Sequence, residues 1–304
     1  MGASGTPAEG LLLAVSSIFI NEGMEGASGV IKASIVILTW NSTDLLRGSL
    51  QSLPQACTTY PYEVLVIDNG SRGYSPASLR FEFPWMQLVV NRDNRGVAPG
   101  RNQGIRVAQG EYIILLDDDT VVEPGAFDRL ISYMDAHLQV GLCAPKLIGL
   151  DGQLHLTCRF YPTLLDKVAR QVPFAAAQRL RQQTEMADWD HNSIRAVDYV
   201  IGACQVIRRE ALMKVGLLDE QIFYGPEDID FCIRLRQAGW QVVYNPEAVV
   251  IHKERRVARS FFSGLSWKHL WGVSYYFWKH KYLFSRQRLY RRLGVAALDT
   301  LSAS

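Results

Sequence analysis

Three consecutive aspartates, Asp117, Asp118 and Asp119, follow the apolar run at 112–116. Carboxylates clustered where a buried strand ends are costly unless a cation sits against them. Asp117 and Asp119, one residue apart on a turn, can reach one hard cation and the oxygens of a bound phosphate. A solvated acidic turn is the plainer alternative. An EF-hand is excluded, because Val122 stands where the loop needs glycine and Asp128 where it needs glutamate. A second acidic group is Glu227-Asp228 with Asp230, preceded by Phe223-Tyr224-Gly225-Pro226. Acids at a helix start cap the macrodipole, and a carboxylate there can also act as general base toward a hydroxyl. His252 ends a β-rich run and is either structural or a metal ligand. In the segment 94–102, Gly96 and Gly100 let backbone approach a ligand, and Arg101 can meet a phosphate or brace the acids. The segment is neither GxGxxG nor a P-loop.

The elements that must position these groups alternate. Residues 34–39 form a continuous apolar, β-branched run, as in a parallel strand covered on both faces. Asn41 to Asp44 offer N-caps for a helix through about Leu53. Strands are expected at 62–67, 87–90, 111–116 and 140–148, with helices at 96–108 and from Pro124 to about 137. Residues 151–195 interrupt the pattern and read as an insertion with helical pieces. A strand at 197–207, helices at 209–215 and 227–238, and strands at 241–244 and 249–252 follow, with Gly239 as a C′ glycine. This order argues for an α/β, doubly wound, mostly parallel sheet, whose ligands bind at the carboxyl ends of the strands. Asn41, Asp68 and the three aspartates all fall there.

Of 304 residues, 48% are apolar and 20% charged, which is globular composition. The five scattered cysteines have no CxxC spacing and read as reduced thiols rather than a zinc or disulfide framework. Residues 1–30 read as a flexible leader; the apolar run 11–20 has no preceding positive charge and is a poor signal peptide. No apolar stretch is long enough to span a bilayer. Ten of the 32 Lys and Arg lie in 255–292, which has no acid, so the remaining body is net acidic. Trp267, Trp271 and Trp278 in that tail share a helical face. Basic residues beside Trp and Tyr fit a helix lying on an anionic membrane over 256–292. The alternative is an aromatic face packed on the rest of the chain or on a second copy in a homodimer. No recognition motif accompanies the charge, so nucleic acid is excluded as partner.

Taken in order, SIVILTWNS at 34–42, VLVIDNGS at 64–71, NRGVAPGRNQG at 94–104, YIILLDDDT at 112–120, the stretch 197–220, FYGPEDIDFCIRLRQAGW at 223–240 and the histidine of 251–252 resemble a family 2 glycosyltransferase. The resemblance covers about 32–254 and is greatest to the rhamnosyltransferase-like branch that builds bacterial surface polysaccharides. It implies the glycosyltransferase A fold over 31–254, with 255–304 as a helical basic and aromatic extension. It also implies an inverting, metal-dependent transfer of a sugar such as rhamnose from a nucleotide diphosphate sugar to a glycan or lipid-linked acceptor. In such an enzyme Thr39, Asn41 and Asp68 hold the base and ribose, with Gly96, Arg101, Asp117 and Asp118 also on the donor. Asp119, Asp117 and His252 hold Mg2+ or Mn2+, and Asp228 is the base with Glu227 beside it. The implied setting is cytoplasmic, peripheral on the inner face of the cell membrane. Pro99 departs from the family's small residues in that loop but suits the first turn of a helix. A non-catalytic sugar-nucleotide-binding or scaffolding subunit of the same fold is the rival. A nucleotidyltransferase ranks last, because Thr39 to Ser42 lack the glycine and basic residues that hold a triphosphate.

Overall fold

The structure is a computed structural model that describes residues 30–73, 76–170, 172–253 and 264–294. The leader reading (1–30) therefore lies almost entirely outside the described residues, as do Phe261 and Phe262 of the tail. The strands are β1 (Ala33–Thr39), β2 (Tyr62–Asp68), β3 (Met86–Val90), β4 (Tyr112–Asp117), β5 (Thr120–Val122), β6 (Val140–Ile148), β7 (Leu154–His155), β8 (Cys158–Arg159), β9 (Arg195–Ala196), β10 (Tyr199–Val200), β11 (Cys204–Arg208) and β12 (Gln241–His252). The helices are α1 (Thr43–Ala56), α2 (Leu79–Glu82), α3 (Val97–Val107), α4 (Ala126–Ala136), α5 (Leu164–Ala169), α6 (Ala175–Thr184), α7 (Arg209–Val215), α8 (Glu227–Gln237), α9 (Gly264–His280) and α10 (Arg286–Leu293).

The main sheet runs β3-β2-β1-β4-β11-β6-β12-β5, with β7 on β6 and β9 on β12, and β8–β10 form a separate ribbon. Its first four strands are parallel, whereas β11 runs antiparallel to both β4 and β6. The sheet is thus an α/β mixture of parallel and antiparallel pairs. Apolar side chains cover both faces. Ile35 and Ile37 of β1 join Leu46 and Leu50 of α1 and Phe127 and Leu130 of α4 on one face. Val36 joins Ala98 and Ile105 of α3 and Phe231 and Ile233 of α8 on the other. Successive strand residues point to opposite faces, so a strand sandwiched between helices must be apolar throughout. All five cysteines are free and buried.

Three boundaries differ from the sequence expectation. The strand expected at 197–207 is broken into β10 and β11, because Gly202 turns its carbonyl to accept from Arg101 Nη2 at 2.7 Å. The strands expected at 241–244 and 249–252 are one, β12, with a register shift against β6 between Asn245 and Val249. Helix α4 starts at Ala126 rather than Pro124. Gly239 has φ 88°, as a C′ glycine requires.

The tail does more than either sequence reading assigned to it alone. Helix α9 buries Tyr276 and Phe277 in the core shared with α8. It leaves Trp267, Trp271 and Trp278 at 70%, 64% and 71% exposure, so the tryptophan face points away from the domain. Asp230 locks the helix down. It is fully buried, 2.8 Å from Arg234 Nε, 2.6 Å from Lys279 Nζ and 2.8 Å from His280 Nε2. Burial alone would raise its carboxyl, but the His280 hydrogen bond, Arg234 and Lys279 overcome it and hold the group well below the usual carboxylate range. Asp230→Ala is therefore expected to cost about 3–5 kcal/mol, the scale for stranding buried charge partners. Urea unfolding monitored by tryptophan fluorescence measures it. Because the folded-state value is depressed, this contribution is present above the ordinary carboxylate range and disappears as pH falls through the folded value. A midpoint unchanged by the substitution at pH 7 rules the clamp out.

Candidate functional site

The site is built on the carboxyl ends of β1, β2 and β4 and the end of β12. Strand β4 ends at Asp117, and Thr120 Oγ1 donates to the Asp117 carbonyl at 2.7 Å to close the turn. The chain then enters β5, which pairs antiparallel with β12 and sets His252 opposite Thr120. The Lys253 amide donates to the Asp119 carbonyl at 2.9 Å. This pairing brings His252 Nε2 to 3.2 Å from Asp119 Oδ1. One ligand atom each from Asp117, Asp119 and His252 lies within 4.8 Å of the others. Strand β5 was not anticipated from the sequence; three residues are too few for a periodic signal.

Burial raises the Asp117 carboxyl; Arg101 opposes the rise and the neighbouring Asp119 adds to it. Arg101 Nη2 donates to Asp117 Oδ1 at 2.5 Å, while its buried Nε has no partner among the described residues. Arg101 therefore braces Asp117, one of the two roles read from the sequence. Asp118 lies apart from the three-ligand group. Its Oδ2 accepts from Thr39 Oγ1 at 2.6 Å and from Ser42 Oγ. Burial pushes its carboxyl up to about 6, against the two hydroxyl bonds. Ser42 precedes α1 without capping it, because its hydroxyl is committed to Asp118.

Around the end of β1, Asn41 adopts a left-handed φ of 53°. Its Oδ1 accepts from the Arg72 amide at 2.7 Å, and its amide donates to Ser71 Oγ at 2.9 Å. Asp68 Oδ1 accepts from the Ser71 amide at 3.0 Å and hydroxyl at 2.6 Å. Asn41 and Asp68 thereby stitch the ends of β1 and β2 together. Gly96 opens α3 at φ 97°, and a Cβ there would stand 2.6 Å from the Phe223 carbonyl. The Val97 amide donates to that carbonyl at 2.8 Å, so the glycine loop is seated directly on the segment leading to Glu227. Pro99 sits in the first turn of α3.

Glu227 and Asp228 begin α8. Glu227 Oε2 accepts from the Gly225 amide at 2.8 Å, and Asp228 Oδ1 from the Ile229 amide at 2.7 Å. Burial raises both carboxyls. Asp228 then presses Glu227 further up, whereas Lys167, Arg159 and Arg101 favour the ionised Asp228. Two adjacent buried carboxyls do not both ionise readily, and the nearby cations favour a charge on Asp228. Arg101 joins the two acidic groups: it is bonded to Asp117, and its charge acts on both Glu227 and Asp228. Asp230, grouped with them in the sequence, turns into the core instead.

Sequence reasoning missed two contributors. His155 of β7 stacks edge-on against His252, with ring centroids 5.7 Å apart. Asn102 of α3 bonds both the carbonyl and the amide of Leu218, at 2.9 and 3.1 Å, and Glu220 at 2.9 Å, fixing the loop before α8. Asn102 lay within the glycine-rich motif; nothing in the sequence singled out His155.

Residues 34–216 match the family model described as glycosyl transferase family 2. N-acetylglucosaminyl-diphospho-decaprenol L-rhamnosyltransferase of Mycobacterium tuberculosis is 29% identical over 237 residues, covering 72% of this chain and 75% of the relative. An uncharacterised glycosyltransferase of Bacillus subtilis is 27% identical over 263 residues, covering 73% and 65%. Among solved structures, GalNAc-T7 with UDP, GalNAc and Mn2+ aligns with TM-score 0.58 at 17% identity, over 77% of this chain and 46% of that one. The mannosyltransferase PcManGT of Pyrobaculum calidifontis, with GDP-Man and Mn2+, aligns with TM-score 0.53 at 18% identity, over 75% and 58%. The chain thus spans about half the length of these solved chains, and they bear on the fold alone.

Proposed function

This chain belongs to glycosyl transferase family 2, and from that premise we propose that it transfers a sugar, with rhamnose the leading candidate, from a nucleotide diphosphate to a lipid-linked glycan acceptor with inversion. The observation that carries this reading is the convergence of Asp117, Asp119 and His252 within 4.8 Å, joined through Arg101 to the Glu227–Asp228 pair. Two carboxylate oxygens and one imidazole nitrogen are a donor set that suits Mn2+ or Mg2+, with the nitrogen favouring Mn2+. Such an ion would neutralise charge on the departing diphosphate.

The chain's own residues supply the rest. Asp228 accepts the proton of the acceptor hydroxyl, whose oxygen forms a bond to the anomeric carbon as that carbon's bond to the diphosphate oxygen breaks. Glu227 lies beside Asp228, and their shared burial favours a single charge on the pair. Thr39, Asn41 and Asp68 shape the pocket for base and ribose, Asp118 buttresses its wall, and Gly96 brings the donor loop against the α8 entry. Among the described residues no helix is long and apolar enough to cross a membrane. The exposed tryptophan face of α9 supports peripheral contact with the inner face of the cell membrane. A lipid-linked acceptor agrees with the acceptor named in the Mycobacterium tuberculosis relative.

A thermal-shift screen of deoxythymidine- and uridine-diphosphate sugars with Mn2+, followed by assay of nucleoside diphosphate release with acceptor, tests the reading. One donor is expected to raise Tm in a Mn2+-dependent manner and to turn over. Binding without turnover across donors and acceptors favours a non-catalytic sugar-nucleotide-binding subunit instead.

A further inference from the structure

The insertion between β6 and β11 carries a basic cluster that the transfer chemistry leaves unused. Lys167 lies on α5, half-buried, and among the described residues its ammonium has no hydrogen-bond or ion-pair partner. Arg170, which ends α5, reaches Glu185 Oε1 at 3.2 Å, and Arg159 of β8 reaches the same oxygen at 3.6 Å. One carboxylate therefore serves two guanidiniums and leaves the lysine unmatched. Burial, then Arg170 and Arg159, push the Lys167 ammonium down to about 8, against the pull of Asp228 and Glu227. Even with Asp228 counted beside Glu185, the three cations outnumber the anions, and that surplus is unfavourable in a partly buried place unless a further anion joins them.

The location narrows what that anion is. Arg159 stands opposite Tyr199 in the β8–β10 ribbon, and β10 packs against α8, which presents Asp228. Lys167 and Arg159 are the cations that most favour the ionised Asp228, ahead of Arg101. Among the described residues the three cations are bound to Glu185 or stand beside Asp228, whereas the candidate metal ligands are Asp117, Asp119 and His252. Helix α5 also carries exposed apolar side chains. The Leu164 amide donates to the Leu283 carbonyl at 2.8 Å, stitching α5 to the turn between α9 and α10. Leu165 and Val168, three residues apart on α5, share an exposed face, and Phe284 of that turn is exposed as well. Cations beside an exposed apolar rim match a phosphorylated lipid better than a free soluble anion.

We infer that Arg159, Lys167 and Arg170 form the phosphate subsite for a prenyl-diphosphate-linked acceptor, with Leu165, Val168 and Phe284 as the rim its lipid chain crosses. The inference rests on the glycosyltransferase reading above and says where the acceptor's phosphates go: next to Asp228, with the lipid directed along the α5 seam.

Farnesyl diphosphate, titrated calorimetrically into the full chain in EDTA, reads this subsite while metal-dependent nucleotide binding is silent. Saturable binding by the wild type is expected. Lys167→Ala should weaken it by about tenfold or more, the scale of a charge-assisted phosphate contact, and Lys167→Ala/Arg170→Ala further. Lys167→Arg, which keeps the charge, should retain binding, separating lost charge from lost fold. Inorganic pyrophosphate and farnesol should each bind far more weakly than farnesyl diphosphate. The inference is overturned by no binding to the wild type, by affinity unchanged in the alanine variants, or by pyrophosphate binding as tightly as the lipid. Mn2+–UDP titrated separately reports on the donor site, so the two readings fail independently.

Discussion

Asp119→Ala is expected to lower sugar transfer by about 10^3-fold or more while leaving the fold intact, because it removes one of three convergent ligands from a group whose cation would supply several kcal/mol of charge stabilisation. The backbone of Asp119, which accepts from the Lys253 amide and keeps β12 beside β5, survives the substitution. Unfolding midpoints should therefore move little, and removing one carboxylate from beside Asp117 relieves repulsion in the ion-free protein. Mn2+ titrated calorimetrically in the presence of UDP should show the affinity lost in the variant. Wild-type turnover by purified, folded Asp119→Ala protein would exclude Asp119 from the site.

Asp228→Asn tests the other acidic group and is expected to separate chemistry from donor binding. The amide oxygen still accepts from the Ile229 amide, so the start of α8 is preserved. What is lost is the capacity to take a proton, an effect of about 10^2- to 10^4-fold for a general base. Mn2+-dependent binding of the nucleotide should be unchanged, in contrast to Asp119→Ala. The pH profile gives an independent readout. Burial raises Asp228 in the folded protein, so the acid limb of the rate should lie above the ordinary carboxylate range, with activity falling as pH drops through it. If Asp228→Asn transfers sugar normally, the proton goes elsewhere and the proposed role of the α8 acids is wrong.

Much of this arrangement was legible in the chain. The apolar run of β1 and its companions announced strands covered on both faces, and the turn clusters after them put Asn41, Asp68 and the three aspartates at one edge. Gly239 reported its own backbone conformation. Less legible were features set by contacts between distant segments. The acids at 227, 228 and 230 look alike along the chain, yet the helix turns Asp230 into the core to meet Lys279 and His280, while Asp228, two residues earlier, lies toward Lys167 and Arg159. Asp117, Asp118 and Asp119 are chemically identical, yet Thr39 and Ser42 claim Asp118, Arg101 claims Asp117, and His252 meets Asp119.

Sequence alone determined the residue types, the layered α/β order and the edge where a ligand would sit, because periodicity and turn chemistry are local properties of a chain. The assignment of each acid to its partner, the pairing of β5 with β12 that carries His252 inward, and the gathering of Arg159, Lys167 and Arg170 near Asp228 were decided only by tertiary structure. Those contacts join residues scores of positions apart, and carboxylates of one composition differ in charge state only through the cations, hydroxyls and burial that folding brings to each.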